Sequence, residues 1–347
     1  MIPITINKAK EILKKVIISG NKKPMFLHSS PGLGKSAIIK QLGLELGYRV
    51  IDIRLGSIEA SDLCGIPYVH DGVQKWSVPT WFPTKAKEKV ILFLDELSNA
   101  SIPVQHAGYR LVHDREIQDG TRLPDSVIVI AAGNLKTDKT GVKGIAPALA
   151  NRFGIHFQIE PNLEDFINYG VRAGISEQII GFLNFDASKL YGFDPLKDDL
   201  AFPTPRSWEA VSGLLDCGFD ESELTVAISG CVGPGVANEF LAYRKHFADL
   251  PDFTKIANGE STYVVPNDNI GLVFAVSSSL IYHLIANASD KKKMVNLVKV
   301  MEQLGDEYLI LIFKCIRGYG DKDLIVKIHE TTKDLFAKVE RYVKIKK

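Results

Sequence analysis

Residues Ser29 to Ser36 read S-S-P-G-L-G-K-S, between an apolar run (Met25, Phe26, Leu27) and a helix-like stretch from Ala37 to Leu46. This is the composition of a loop that cradles phosphate. Gly32 and Gly34 let main-chain N–H groups turn inward on polyphosphate oxygens. The following helix adds its positive N-terminal end, and Lys35 supplies a mobile cation. Ser30, Pro31, Gly32, Leu33, Gly34, Lys35, Ser36 and Ala37 are therefore the candidate residues for holding a nucleoside triphosphate. Ser29 stands where the strict G-x-x-x-x-G-K-[ST] pattern has its first glycine, and the octapeptide by itself also fits a surface turn with an incidental lysine.

Further along, Val90 to Glu96 reads V-I-L-F-L-D-E, a buried-looking strand that runs into two carboxylates. Acids at such a place are costly unless they act at the strand tip. The magnesium that accompanies a triphosphate supplies a reason: Asp95 holds it through water, Ser36 coordinates it directly, and Glu96 is left to polarise an attacking water as general base. The next apolar strand, S-V-I-V-I-A-A-G-N, ends at Asn134, whose carboxamide fits the water or a γ-phosphate oxygen. Taken alone, an Asn after Gly133 is an ordinary turn residue. Arg152, in A-N-R-F, precedes the last strand of this half and suits a phosphate in a neighbouring subunit; a surface ion pair is the plainer alternative. Arg206, in T-P-R-S-W, is a second cationic candidate, against a packing role beside Trp208.

These residues need a scaffold, and the first half supplies short apolar runs alternating with amphipathic stretches, the pattern of a parallel sheet flanked by helices. The expected strands are Pro24 to His28, Arg49 to Leu55, Val90 to Asp95, Val127 to Asn134 and Ile155 to Ile159. Hairpins are expected around Asp71-Gly72 and Asp119-Gly120. After Pro161 the periodicity turns helical, with helices expected over Leu163 to Ala173, Ser176 to Leu190, Ser207 to Leu215 and Glu221 to Cys231. Pro251 to Asn269, rich in Pro, Asn, Asp and Gly, reads as a linker. Three or four further amphipathic helices follow, ending in Lys322 to Val343.

The bulk properties bound the function. A chain of 347 residues with 46% hydrophobic and 24% charged residues is a folded protein of two or three domains. Its net charge of +1 gives no general reason to hold nucleic acid, although residues 290–347 carry 14 Lys and Arg against 9 Asp and Glu. Ile270 to Ala288, the most apolar stretch, is interrupted by Ser277 to Ser279 and His283. The N-terminus lacks a signal-peptide pattern, so a cytoplasmic location is expected. Cys64, Cys217, Cys231 and Cys315 are dispersed, with no zinc or disulfide spacing, and read as buried thiols.

In their order, these motifs resemble an AAA+ ATPase, and in detail the MoxR branch with its helix-2 insert. The D-L-C-G of Asp62 to Gly65 with the hairpin to Trp76 matches that insert, and Asp114-Arg115 through Leu123 matches the hairpin before the Asn-bearing strand. The resemblance covers roughly residues 1–250. It implies an α/β fold, a P-loop NTPase three-layer parallel sheet with an all-α lid domain and further C-terminal helices. The implied domains are an α/β nucleotide-binding domain over 1–160, a helical lid over 161–250, and a linker with a C-terminal helical region over 251–347.

The resemblance also implies roles: Lys35 on the β- and γ-phosphates of ATP, Ser36 and Asp95 on Mg2+, Glu96 activating water, Asn134 as first sensor, Arg152 as arginine finger and Arg206 as second sensor. The activity implied is ATP hydrolysis by a homo-oligomer, a hexameric ring that remodels a partner protein, one with a von Willebrand factor A type domain. The family often reads D-E-I-N-R-A where this chain has Asp95-Glu96-Leu97-Ser98-Asn99-Ala100, which leaves Arg110 and Arg115 as candidates to stand in for the missing arginine. Two alternatives come from other classes. One is a motor stimulated by nucleic acid, disfavoured by charge and by the absence of a nucleic-acid-binding signature. The other is a non-hydrolysing ATP-dependent switch, disfavoured by the intact Glu96.

Overall fold

The computed structural model describes residues 1–138, 144–266, 268–319 and 322–331. The chain divides into two compact units, Met1–Pro161 with Phe193–Asp198, and Asn162–Gly192 with Asp199–Lys347. In chain order the first unit contains β1 (Pro3–Ile4), α1 (Ile6–Ile18), β2 (Met25–His28), α2 (Lys35–Leu46), β3 (Arg49–Arg54), α3 (Ala60–Cys64), β4 (Pro67–His70) and β5 (Val73–Trp76). It continues with β6 (Val90–Asp95), α4 (Ile102–His113), β7 (Val127–Gly133), α5 (Pro147–Ala150) and β8 (Ile155–Ile159).

Six of the strands form one parallel sheet in the order β1-β8-β2-β7-β6-β3. Strand residues alternate between its faces, as a period of two requires. Met25, Leu27, Ile91, Phe93, Ile128 and Ile130 pack with α1 and α2 on one side. Phe26, Leu92, Leu94, Val129 and Ala131 pack with α3 and α4 on the other. A sheet buried on both faces explains why β6 and β7 read as unbroken apolar runs, and every residue of both is buried. The element ends follow local chemistry. Thr5 accepts the Lys8 N–H to cap α1, and Gly47, left-handed at φ 67°, closes α2.

The two-residue strand β1 is too short to carry a periodicity signal and is absent from the expected strands. Strands β4 and β5 pair antiparallel around Asp71-Gly72 as a separate ribbon. The second expected hairpin is reduced to an isolated bridge between Glu116 and Arg122, with the Ile117 N–H donating to the Thr121 carbonyl at 3.0 Å.

The second unit is helical: α6 (Leu163–Ala173), α7 (Glu177–Phe185), α8 (Pro205–Leu214), α9 (Glu221–Val232), α10 (Pro234–Arg244), α11 (Phe253–Asn258), α12 (Ile270–Ala286), α13 (Lys291–Met301), α14 (Asp306–Tyr319) and α15 (Lys322–Thr331). One hydrophobic core runs through it from Phe166 to Ile328. Trp208 is fully buried there against Phe182 and Phe240, and its indole N–H donates to the Lys189 carbonyl at 2.9 Å.

The stretch read as a linker contains α11 and buries Phe253, Ile256, Ala257 and Val265 in that same core. Its apolar residues are spaced i, i+3, i+4 over one short turn-rich segment, too few for the pattern to stand out against Pro, Asn and Gly. The expected helix over Ser176 to Leu190 breaks at Asp186, whose carboxylate turns back to the Ser188 N–H at 3.0 Å and starts a separate turn. The end of the expected helix Lys322 to Val343 lies outside the described residues beyond Thr331.

Of the four cysteines only Cys315 is buried, and burial pushes its thiol up to about 12; Cys217 is exposed and Cys64 and Cys231 are half-buried. Among the described residues no helix is long and apolar enough to cross a membrane.

Candidate nucleotide site

The parallel order puts β2, β7 and β6 side by side with their C-terminal ends together, and Lys35, Ser36, Asp95, Glu96 and Asn134 lie at or after those ends. Ligands of open parallel sheets bind at that edge. The loop after β2 reaches α2 through Gly32 and Gly34, which take φ of 78° and 83°, a region where a side chain is strained. Gly34 is also the residue that opens α2 and offers no side-chain acceptor to its first turn. The N–H groups of that turn are thus left without a side-chain cap, an arrangement that suits an anion.

Lys35 Nζ donates to the Ser29 carbonyl at 3.0 Å, Ser29 Oγ at 2.8 Å, the Ser30 carbonyl at 3.3 Å and Asn134 Oδ1 at 3.2 Å. The ammonium therefore joins the loop to the end of β7. Gly133 leaves room for Ser98 and Phe26 against the end of β7: an added Cβ would stand 2.8 Å from Ser98 Oγ and 3.1 Å from the Phe26 ring. Ser98, fully buried, then accepts the Asn134 N–H at 2.8 Å and aims the residue.

Strand parity decides the partner of each acid. Ile91, Phe93 and Asp95 lie on the sheet face that carries α2, and there Ser36 Oγ donates to Asp95 Oδ2 at 2.7 Å. The other oxygen of Asp95 accepts the Glu96 N–H at 2.9 Å. Asp95 is 8% exposed, and its charge, after burial, helps hold the neighbouring Asp52 carboxyl above the usual carboxylate range. A hydroxyl and a buried acid in contact, with a second acid beside them, are a donor set that fits a hard divalent cation.

Glu96 is exposed and sits in the left-handed region at φ 58°, ψ 28°, a conformation that costs a non-glycine residue about 1–3 kcal/mol and clusters at working sites. Its carboxylate lies beside Gly56, where an added Cβ would be 2.6 Å from Oε2.

Arg152 follows α5 and lies on Tyr109 of α4. Its Nε donates to the phenol oxygen at 2.8 Å, Nη2 donates to the same oxygen, and the guanidinium stands 5.1 Å from the ring centroid. Arg110 pairs with Glu116 at 2.7 Å. Arg115 donates to the Pro124 and Val127 carbonyls, each at 2.9 Å, and burial lowers its pKa. Arg206 is exposed in the first turn of α8, in the second unit, behind the capping pair Thr204–Ser207.

Three residues at this edge carry no signal that the sequence motifs reveal. Ser98 stands inside the stretch Asp95 to Ala100 but is not singled out there, and Gly56 belongs to no motif. Asp138, buried after β7, accepts the Ser30 hydroxyl at 2.8 Å. Its sole sequence signal is its place shortly after Asn134.

Beneath the loop, on the face opposite Asp95, His156 Nε2 contacts the Ala150 carbonyl at 3.0 Å and its Nδ1 contacts His28 Nε2 at 2.9 Å. Burial, then the neighbouring His156, then Lys35 lower the His28 pKa from the usual 6.5 to about 4. The folded chain therefore resists a proton that the unfolded chain accepts. Stability contributed by neutral His28 is present above pH 6.5 and is lost as the pH falls towards 4. Thermal melts between those limits are expected to show a shallower acid loss for His28→Asn than for the parent; equal slopes would assign the sensitivity elsewhere.

Residues 25–161 match the family described as "ATPase family associated with various cellular activities (AAA)". Midasin of Giardia intestinalis is 28% identical over 158 residues, which are 44% of this chain and 3% of that protein. The chain therefore spans only a small part of the curated relative it matches. The chain is also similar to a solved RuvB point mutant of Thermotoga maritima, with a TM-score of 0.41 and 16% identity, covering 72% of this chain and 74% of that one. NtrX from Brucella abortus in complex with ADP has a TM-score of 0.38 and 13% identity, covering 96% of this chain and 69% of that one. The family match falls on the sheet and loop just described, so the stretch 25–161 that resembles an AAA-family domain is also the one that carries the P-loop fold.

Proposed function

We propose that this chain is an ATP-hydrolysing motor of the MoxR-like kind that works as a ring and remodels a partner protein bearing a von Willebrand factor A type domain. The observation that carries the reading is the convergence at one sheet edge of the Lys35–Asn134 contact at 3.2 Å and the Ser36–Asp95 contact at 2.7 Å. An ammonium, a carboxamide, a hydroxyl and an acid are thereby gathered around the uncapped start of α2.

In this reading residues 30–37, the loop and the first turn of α2, bind the phosphates, Lys35 neutralises the β- and γ-phosphates, and Ser36 with Asp95 would hold magnesium. The ion, when bound, offsets charge on the phosphate oxygens. Glu96 takes a proton from the attacking water, and Asn134 orients that water. Arg152 completes a neighbour's pocket, and Arg206 serves as second sensor. Hydrolysis then needs the ring, because a pocket finished by another subunit is inactive in a monomer.

Lys35→Ala tests the nucleotide site directly. Calorimetric titration with Mg-ATP is expected to show at least a roughly tenfold weaker affinity, the minimum for losing a charge-assisted contact to phosphate. Unchanged affinity would remove the loop from the site. Crosslinked mass with and without ATP measures the ring, and a chain that stays monomeric at every concentration would remove that part of the reading.

A further inference from the structure

Asp138 does two things at once. Its Oδ2 accepts the Leu135 N–H at 3.0 Å, and its own N–H donates to the Leu135 carbonyl at 3.0 Å, which together close a tight turn after β7. That much is local turn chemistry. Its Oδ1 accepts the Ser30 hydroxyl at 2.8 Å from a loop 108 residues away in sequence, and a turn needs no such contact.

The residue is 3% exposed, and a buried acid is costly unless its oxygens are bonded. Both oxygens are bonded, one to each side of the phosphate loop's boundary with β7. Ser30 is thereby held at both ends, because its carbonyl accepts Lys35 Nζ at 3.3 Å while its hydroxyl is tied to Asp138. A third tie is the Ser29 N–H, which donates to the Gly133 carbonyl at 3.2 Å.

We infer that Asp138 is a positioning residue for nucleotide binding: through Ser30 it holds the 29–34 loop in the curvature that points its N–H groups at phosphate, in register with Asn134. This rests on the reading of that loop as the phosphate loop. A loop already shaped loses little on binding, whereas a slack one must be ordered by the ligand.

The test is a double-mutant cycle on the full chain, with Mg-ADP as probe, read by titration calorimetry beside thermal melts without nucleotide. Asp138→Ala and Ser30→Ala are each expected to weaken Mg-ADP about tenfold, a typical worth for a hydrogen bond to a charged group. The double variant is expected to lose no more than Asp138→Ala alone, since the Ser30 hydroxyl acts through that one contact. Asp138→Asn is expected to stay within about threefold of the parent, because its carbonyl can accept the Leu135 N–H and its amide can donate to Ser30 Oγ.

Full additivity, or parent-like affinity in Asp138→Ala, would overturn the inference. Should Asp138→Ala not fold, Ser30→Ala decides alone, and parent-like affinity there overturns it equally. A parent chain that fails to bind Mg-ADP would instead remove the phosphate-loop reading itself.

Discussion

Arg152→Ala is expected to lower steady-state hydrolysis of Mg-ATP by about 10³ or more while leaving the affinity for Mg-ADP within a few-fold of the parent, the signature of an arginine that acts on transition-state charge. The guanidinium is anchored within its own subunit, on the Tyr109 ring and hydroxyl. It reaches its place through α5, a single turn that begins at Pro147. Such anchoring reduces the side-chain freedom that must be lost when the guanidinium meets an anion.

A mixing experiment separates action in trans from a structural role. Arg152→Ala subunits keep an intact phosphate loop, and Lys35→Ala subunits keep an intact Arg152. Mixed rings are expected to recover part of the lost turnover, because one kind of pocket again receives the arginine it needs. No recovery, or a single variant with parental turnover, would leave Arg152 as an ion–ring contact of the fold alone.

Glu96→Gln is expected to lower turnover by about 10² to 10⁴ with nucleotide affinity retained, the range associated with losing a general base. Glutamine keeps the length and shape of the side chain but loses the negative charge and with it the basicity. The loss should therefore appear equally in kcat and kcat/KM, since the missing step occurs in the transition state. The local backbone supports a working position: Glu96 holds φ 58° directly after a wholly buried strand. Backbone strain of this kind clusters at working sites. Multiple-turnover phosphate release at the parental rate in Glu96→Gln would replace the motor reading with that of a nucleotide-dependent switch.

Much of this site is legible before any fold is known. Lys35, Ser36, Asp95 and Asn134 stand in three separate motifs, each following an apolar strand, and the structure brings the four into hydrogen-bonded pairs, Lys35 with Asn134 and Ser36 with Asp95. The parallel sheet is equally legible, because strands covered on both faces read as continuous apolar runs.

The contribution of Asp138 is not legible. Nothing in T-D after L-K distinguishes a buried acid from a solvated one, and its partner Ser30 is 108 residues away in the chain. Gly56 is hidden for a similar reason, since its importance is the space it leaves for Glu96. The stretch 251–269 reads as a linker because its turn residues outweigh the few apolar side chains that the helical core takes up.

The sequence by itself determined the order of elements and the identity of the groups capable of acting on phosphate, because strand periodicity and glycine placement are local and chemical type is invariant. The tertiary structure alone decided which side of the sheet each group faces and which groups meet. Parity along β6 sends Asp95 to Ser36, strand order sets β7 and its Asn134 beside Lys35, and burial binds Asp138 to Ser30. Those outcomes depend on packing between segments remote in the chain, where the energy of a contact exists only once both partners have been folded into place.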